Sequence, residues 1–151
     1  MFMEFNVQVR NSQFEKSLLN KIARVANSLE RVVEIELKVS FALTFSQFRV
    51  LDALASTGEV SQKELAERLE VTPAVVTRQA EVLHERGLLV QRSNPKSKRE
   101  NVLVLTKKGE TAAIDAAKAV GKVQKAFLEP LNLQDETALE RGLTALVKSL
   151  D

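Results

Sequence analysis

Eight Lys/Arg residues and only three Asp/Glu fall between Thr72 and Lys108, a local charge of +5 within a 151-residue chain whose net charge is +2. Two groups in this stretch have the residue types and spacing for chemistry on a polyanion. The first is Arg78, which shares a helical face with Ala74 and Val75; the acids Glu81 and Glu85 come only later on that face. A guanidinium among small side chains can reach a base edge and donate two parallel hydrogen bonds, suited above all to guanine, while Ala74 and Val75 suit thymine methyls. The second is Arg92-Ser-Asn-Pro-Lys-Ser-Lys-Arg99, a turn with four basic residues and no acid. Its Lys96, Lys98 and Arg99 fit a narrow, A·T-rich minor groove, where cations are attracted. Short polar groups nearby, Ser61, Gln62, Thr72 and Thr77, suit phosphate oxygens.

Other chemistry finds little support. The chain has one histidine, His84, and no cysteine. Disulfides, a thiol redox switch and a thiolate metal site are therefore excluded. No Ser/His/Asp spacing and no Gly-rich phosphate loop is present, so the reading is of a non-enzyme with no cofactor and no metal. His84 reads as a surface or edge-of-core residue.

Two short helices and a hairpin must position these groups. Thr72 can cap a helix that begins at Pro73, and Gly87 can close it in the left-handed conformation. Val76, Ala80 and Leu83, at i, i+4 and i+7, form its inward stripe. The preceding helix opens on Ser61 with Glu64 three residues on, a capping box, and buries Leu65, Ala66 and Leu69. Only Glu70 and Val71 separate it from Thr72, so the two must cross in a helix-turn-helix. Leu88 to Gln91 and Val102 to Leu105 read as strands around the basic turn. A helix-turn-helix followed by a basic hairpin is a winged helix, and the fold class is mainly α with a small β-hairpin wing.

Three runs, LTFSQFRVLDAL, QKELAERLEVTPAVVTRQAEVLHERGL and VLVLTKKGE, resemble in order and spacing the MarR family of bacterial and archaeal transcription regulators. The resemblance spans roughly residues 12 to 150. That family's wing usually carries Asp-x-Arg; the matching positions are Ser97, Lys98 and Arg99, so the arginine is kept and the acid that would brace it is not. The resemblance implies a homodimer made by interlocked N- and C-terminal helices. It also implies release from double-stranded DNA by a small, often aromatic or anionic, effector bound between those helices and the DNA-binding lobe. Phe41, Phe45, Phe48 and Arg49 fall in the corresponding region, although the clustering of the three phenylalanines reads first as core packing and only second as part of an effector pocket.

The flanking sequence agrees with a dimer. A long helix is expected from about Asn11, with Phe14, Leu18, Ile22, Val25, Leu29, Val32, Ile35 and Val39 in steps of three and four. That stripe is longer than a small winged helix can cover alone. Ser40 to Leu43 should break it, Thr44 with Gln47 should cap the next helix, and Glu59-Val60 should pair with the hairpin. After the wing, Thr106 can cap a helix in which Gly121 marks a bend or close contact and which Pro130 stops. Asn132 can cap a last helix whose Leu139, Leu143, Leu146 and Leu150 form a narrow seam. The expected organisation is an N-terminal arm and dimerisation helix over 1–43, a DNA-binding lobe over 44–106, and C-terminal dimerisation helices over 107–151. No run is long enough to span a membrane, and the start MFMEFNVQVR is too short and polar for a secretory signal, so the chain reads as cytoplasmic. The reading is a homodimeric DNA-binding regulator, by default a repressor, on a pseudo-palindromic site. The competing reading is a winged helix used as a protein-interaction module, an anti-regulator.

Overall fold

A computed structural model describes residues 15–94 and 97–150, with residues 97–100 described through their backbone. The chain runs α1 (Leu18–Phe41), α2 (Phe45–Thr57), β1 (Val60–Ser61), α3 (Gln62–Leu69), α4 (Pro73–Glu85), β2 (Leu89–Asn94), β3 (Ser97–Leu105), α5 (Lys107–Leu128) and α6 (Leu133–Lys148). This is a mainly helical winged helix-turn-helix carrying one small antiparallel sheet, ordered β1-β3-β2.

Local chemistry sets most of the boundaries. Thr44 and Gln47 bond reciprocally at the start of α2, with the Thr44 amide donating to Gln47 Oε1 at 3.0 Å and the Gln47 amide to Thr44 Oγ1 at 3.1 Å. This explains how Gln47 is buried without cost. Ser61 and Glu64 do the same for α3. Gly87, at φ 69°, closes α4: its N–H donates to the His84 carbonyl at 2.8 Å and that of Leu88 to the Leu83 carbonyl at 2.9 Å. This is the doubly bonded left-handed turn that glycine adopts without strain.

Several boundaries differ from expectation. α1 begins at Leu18 rather than near Asn11, because the Ser17 hydroxyl accepts the Asn20 amide at 3.1 Å and caps it there; Phe14 lies outside the described residues. Ser40 is still helical, and the chain turns at Ala42 in the left-handed conformation, φ 52°. The early strand is Val60–Ser61, one residue later than expected, pairing Val60 with Leu103 and Ser61 with Val102. The hairpin strands are longer than the apolar runs that suggested them. The ladder continues past Gln91 to an Asn94–Ser97 pair, with an irregularity between Ser93 and Asn94. α5 passes straight through Gly121, where nothing lies within 4 Å of a would-be Cβ.

One core unites the helices. Val33 and Leu37 of α1, Val50, Leu51 and Leu54 of α2, Leu65 of α3, Val76 and Leu83 of α4, Leu89 and Leu103 of the sheet, and Ala113 and Ala116 of α5 are buried together. Three long-range links fasten this core. Glu34 of α1 accepts the Phe45 amide at the start of α2. Its bond to the Lys38 ammonium is the main reason its carboxyl sits below the usual range; partial burial opposes this and the Phe45 amide adds to it. Arg49 Nη2 donates to the Leu69 carbonyl at 2.7 Å, tying α2 to the end of α3. Gly109, in the first turn of α5, lies against the Leu88 backbone: a Cβ there would stand 1.8 Å from the Leu88 carbonyl oxygen. Because the obstacle is main chain, Gly109→Ala should cost about 3 kcal/mol by overpacking, a fall in Tm of roughly 6–12 °C by calorimetry. A Tm within about 2 °C of the parent, as expected for an ordinary surface change, would show that the α5–β2 joint yields freely.

The two ends of the chain are different. α6 buries none of its residues, and in α1 only Val33 and Leu37 are buried.

Candidate nucleic-acid interface

α4 divides cleanly into an inner and an outer face. Val76, Ala80 and Leu83 are buried, while Thr72, Pro73, Ala74, Val75 and Arg78 are exposed. Thr72 caps the helix by accepting the Val75 amide at 3.4 Å, with Pro73 at the first turn, where its missing N–H costs nothing. The positive end of the helix dipole therefore points outward from a surface of small side chains. Arg78 makes no hydrogen bond or ion pair among the described residues; the ion pairs there are Glu34–Lys38 and Asp115–Lys118. It is not paired with Glu81 or Glu85, so all five of its N–H donors are open to a ligand.

α3 is aligned on α4 by one bond. The Thr77 hydroxyl lies 3.0 Å from Gln62 Oε1 and 3.0 Å from the Pro73 carbonyl, and its single proton serves these two acceptors. With the Gln62 oxygen engaged, its NH2 is the end left to donate to a phosphate. Thr77, expected at a phosphate, thereby bonds its own helix backbone and forms the strut between the helices. Ser61 is buried, and its one hydroxyl proton is committed: it donates to Glu64 Oε2 at 2.8 Å while the oxygen accepts the Glu64 amide at 3.2 Å.

The wing stands beside this surface. Lys98 and Arg99 lie on β3, and Lys96 lies outside the described residues. A groove of about 290 Å3 separates the helix N-termini from the wing base, lined by Ser61, Gln62, Lys63, Pro73, Gln91 and Asn101. Lys63, Gln91 and Asn101 are exposed here, and sequence patterning does not single them out. Their signal is weak: Gln91 is one polar residue at the end of an apolar run, and Asn101 precedes the apolar stretch of β3.

The residues expected around an effector do not converge. Phe48 is buried in the core, Phe45 stacks on it with ring centroids 6.4 Å apart, and Arg49 is committed to the Leu69 carbonyl. Phe41 alone of the four lines open clefts, of about 460 and 540 Å3, between α1 and α5. His84 is exposed and its Nδ1 donates to the Leu89 carbonyl at 3.1 Å. The apolar residues expected to meet a partner, Leu18, Ile22, Val25, Leu139, Leu143, Leu146 and Leu150, are all exposed in the single chain, by 41% to 83%; Leu150 lies just past the end of α6. Among the described residues no helix is long and apolar enough to cross a membrane.

Comparison with known proteins agrees with this architecture. Residues 43–100 match the MarR family. The HTH-type transcriptional regulator YwoH of Bacillus subtilis is 31% identical over 127 residues, covering 84% of this chain and 91% of that protein. The HTH-type transcriptional repressor MdtR of the same organism is 37% identical over 68 residues, 45% of this chain and 44% of its own length. Among solved structures, a mutant MarR from E. coli complexed with operator DNA superposes with a TM-score of 0.78 over 85% of this chain and 92% of that one, at 24% identity. These are regulators and not enzymes, and by the family match over residues 43–100 together with the extent of its likeness to YwoH the chain belongs to the MarR family of winged helix-turn-helix transcriptional regulators.

Proposed function

We propose that two copies of the chain bind a pseudo-palindromic site in double-stranded DNA and repress transcription there. Each copy would lay the N-terminal half of α4 in a major groove and the wing over the adjacent minor groove. The observation that carries this reading is the outer face of α4: small residues, an open helix N-terminus and an unpartnered Arg78, in the most basic stretch of the chain. A two-fold axis would set the two α4 helices about one DNA turn apart. The unpartnered apolar faces of α1 and α6 support a homodimer, and the names of MdtR as a repressor and of the MarR–operator complex support the target. Thr72 and Gln62 contact phosphates, Arg78 contacts a base, and Ala74 and Val75 touch thymine methyls. A chromosomal target places the action in the cytoplasm. A small aromatic or anionic effector seated by Phe41 would release DNA by favouring a dimer of the wrong spacing.

The protein-interaction alternative has less behind it. Among the described residues every phenylalanine is buried or half-buried, whereas a protein-binding face is typically built on exposed aromatics.

Fluorescence anisotropy against the chain's own upstream DNA and a scrambled duplex, over a salt series, tests the proposal. Preference for the native duplex with a steep salt slope is expected; weak, salt-insensitive binding to both would favour a protein partner. Replacing Lys98 and Arg99 together with alanine should weaken binding to every duplex. The slope of log K against log salt should fall by roughly one for each phosphate the wing no longer neutralises. An unaltered slope would remove the wing from the DNA-binding surface.

A further inference from the structure

We propose that Arg86 is a positioning residue that sets the angle of the recognition helix α4 against α1, and through it the half-site spacing the dimer accepts. The proposal rests on the DNA-binding dimer described above.

The geometry is a three-way joint. Arg86 is the half-buried residue at the end of α4. Its Nη1 donates to the Ala42 carbonyl at 2.8 Å and its Nη2 to the Phe41 carbonyl at 3.0 Å. Phe41 ends α1, and Ala42 is its left-handed turn, so the guanidinium satisfies carbonyls that have no helical donor. A cation at a helix C-terminus is also favoured by the dipole. The backbone behind Arg86 is gripped in turn by the start of α5. Lys108 Nζ donates to the Arg86 carbonyl at 2.9 Å, Thr106 Oγ1 to the Gly87 carbonyl at 2.7 Å and the Thr106 amide to the Leu88 carbonyl at 3.0 Å. Among the described residues, every hydrogen bond joining the end of α4 to the end of α1 comes from the Arg86 side chain.

The other end of α4 faces outward, where the Thr77–Gln62 bond makes α3 move with it. A 13-residue helix is about 20 Å long, at about 1.5 Å per residue. A tilt of about 10° at the joint therefore moves its N-terminus by about 3 Å, close to the rise of one base pair, about 3.4 Å. A joint that fixes this angle decides which half-site separation fits. The planar fork of arginine can hold two carbonyls at once, and the single ammonium of lysine holds the angle less well.

The test pairs a measurement without DNA and one with it. The chain has no cysteine, so Glu30→Cys and Glu81→Cys, both at exposed positions, accept spin labels on α1 and α4. Labelled chain is diluted with unlabelled chain so that distances within one copy are read. Arg86→Met should broaden the α1–α4 distance distribution at least twofold, with Arg86→Lys between it and the parent. On duplexes whose half-sites are moved by one base pair, the parent should lose at least tenfold in affinity and Arg86→Met less than threefold. Its affinity for a single half-site should stay within twofold and its salt slope should be unchanged. A distance distribution of unchanged width, or a spacing preference as sharp as the parent's, overturns the proposal. A lowered salt slope does so too, since Arg86 would then be touching phosphate. If the parent prefers no duplex, the DNA-binding reading fails and the distance widths alone decide the role of Arg86. If Arg86→Met does not fold, Arg86→Lys and Lys108→Met carry the same measurements.

Discussion

Arg78→Ala should abolish sequence preference while leaving fold and dimer intact. The side chain is exposed and has no partner within the described chain, so its removal strands no buried charge and opens no cavity. Stability should stay within roughly ±0.5 kcal/mol of the parent, the usual range for surface changes. The loss falls on the complex. One bidentate guanine contact contributes about 1–3 kcal/mol of discrimination, and a two-fold dimer makes it twice. Affinity for the preferred duplex should thus drop between about 30-fold and 10^4-fold, at about 1.4 kcal/mol per tenfold. Binding to a scrambled duplex, carried by phosphate contacts, should change little. Anisotropy titrations of the two duplexes read the difference directly, and an undiminished preference for the native duplex would sink the assignment of Arg78 to a base.

The second large effect is expected at the opposite end of the molecule. Leu143 lies on α6, none of whose residues is fully buried in the single chain, and is itself 44% exposed. In a dimer that covers the exposed 44%, Leu143→Asp loses about 0.7–1.3 kcal/mol of apolar burial per copy. It also places a carboxylate where it must be desolvated, at a further cost of several kcal/mol. Against a nanomolar dimer of about 12 kcal/mol, two such losses are enough to give monomers at micromolar concentration. Light scattering should report the mass of one chain, near 16.8 kDa, and DNA binding should fall to that of a half-site. A dimer that persists at micromolar concentration would refute the leucine seam.

What could be read from the sequence follows the range of each interaction. Helix caps were legible at Thr44, Ser61, Thr72, Thr106 and Asn132, because a cap is written within four residues of itself. The Val76–Ala80–Leu83 stripe was legible from its spacing. The joints were not: Glu34 reaches 11 residues to Phe45, Arg49 reaches 20 to Leu69, and Arg86 reaches 44 and 45 to Ala42 and Phe41. In each case the partner is a backbone amide or carbonyl, which every residue type shares, so no pattern of side chains announces it. The length of the wing was hidden for a related reason. β2 and β3 continue on main-chain bonds after their apolar residues end, and a reading based on burial stops where burial stops. The phenylalanine cluster was legible as packing: Phe48 is buried in the core and Phe45 packs against it.

The pairing of Ser61 with Val102 gives the wing a second role. Ser61 is at once a strand residue and the cap of α3, and Gln62 beside it is bonded to Thr77 of α4. The base of the hairpin is therefore geared to the recognition helix through two adjacent residues. In the proposed complex, a duplex whose minor groove is too wide for the wing pulls on the same frame that seats α4 in the major groove. Groove width and base identity are then coupled in the binding free energy rather than independent of each other. A site with the right bases but the wrong curvature should be rejected nearly as firmly as one with the wrong bases.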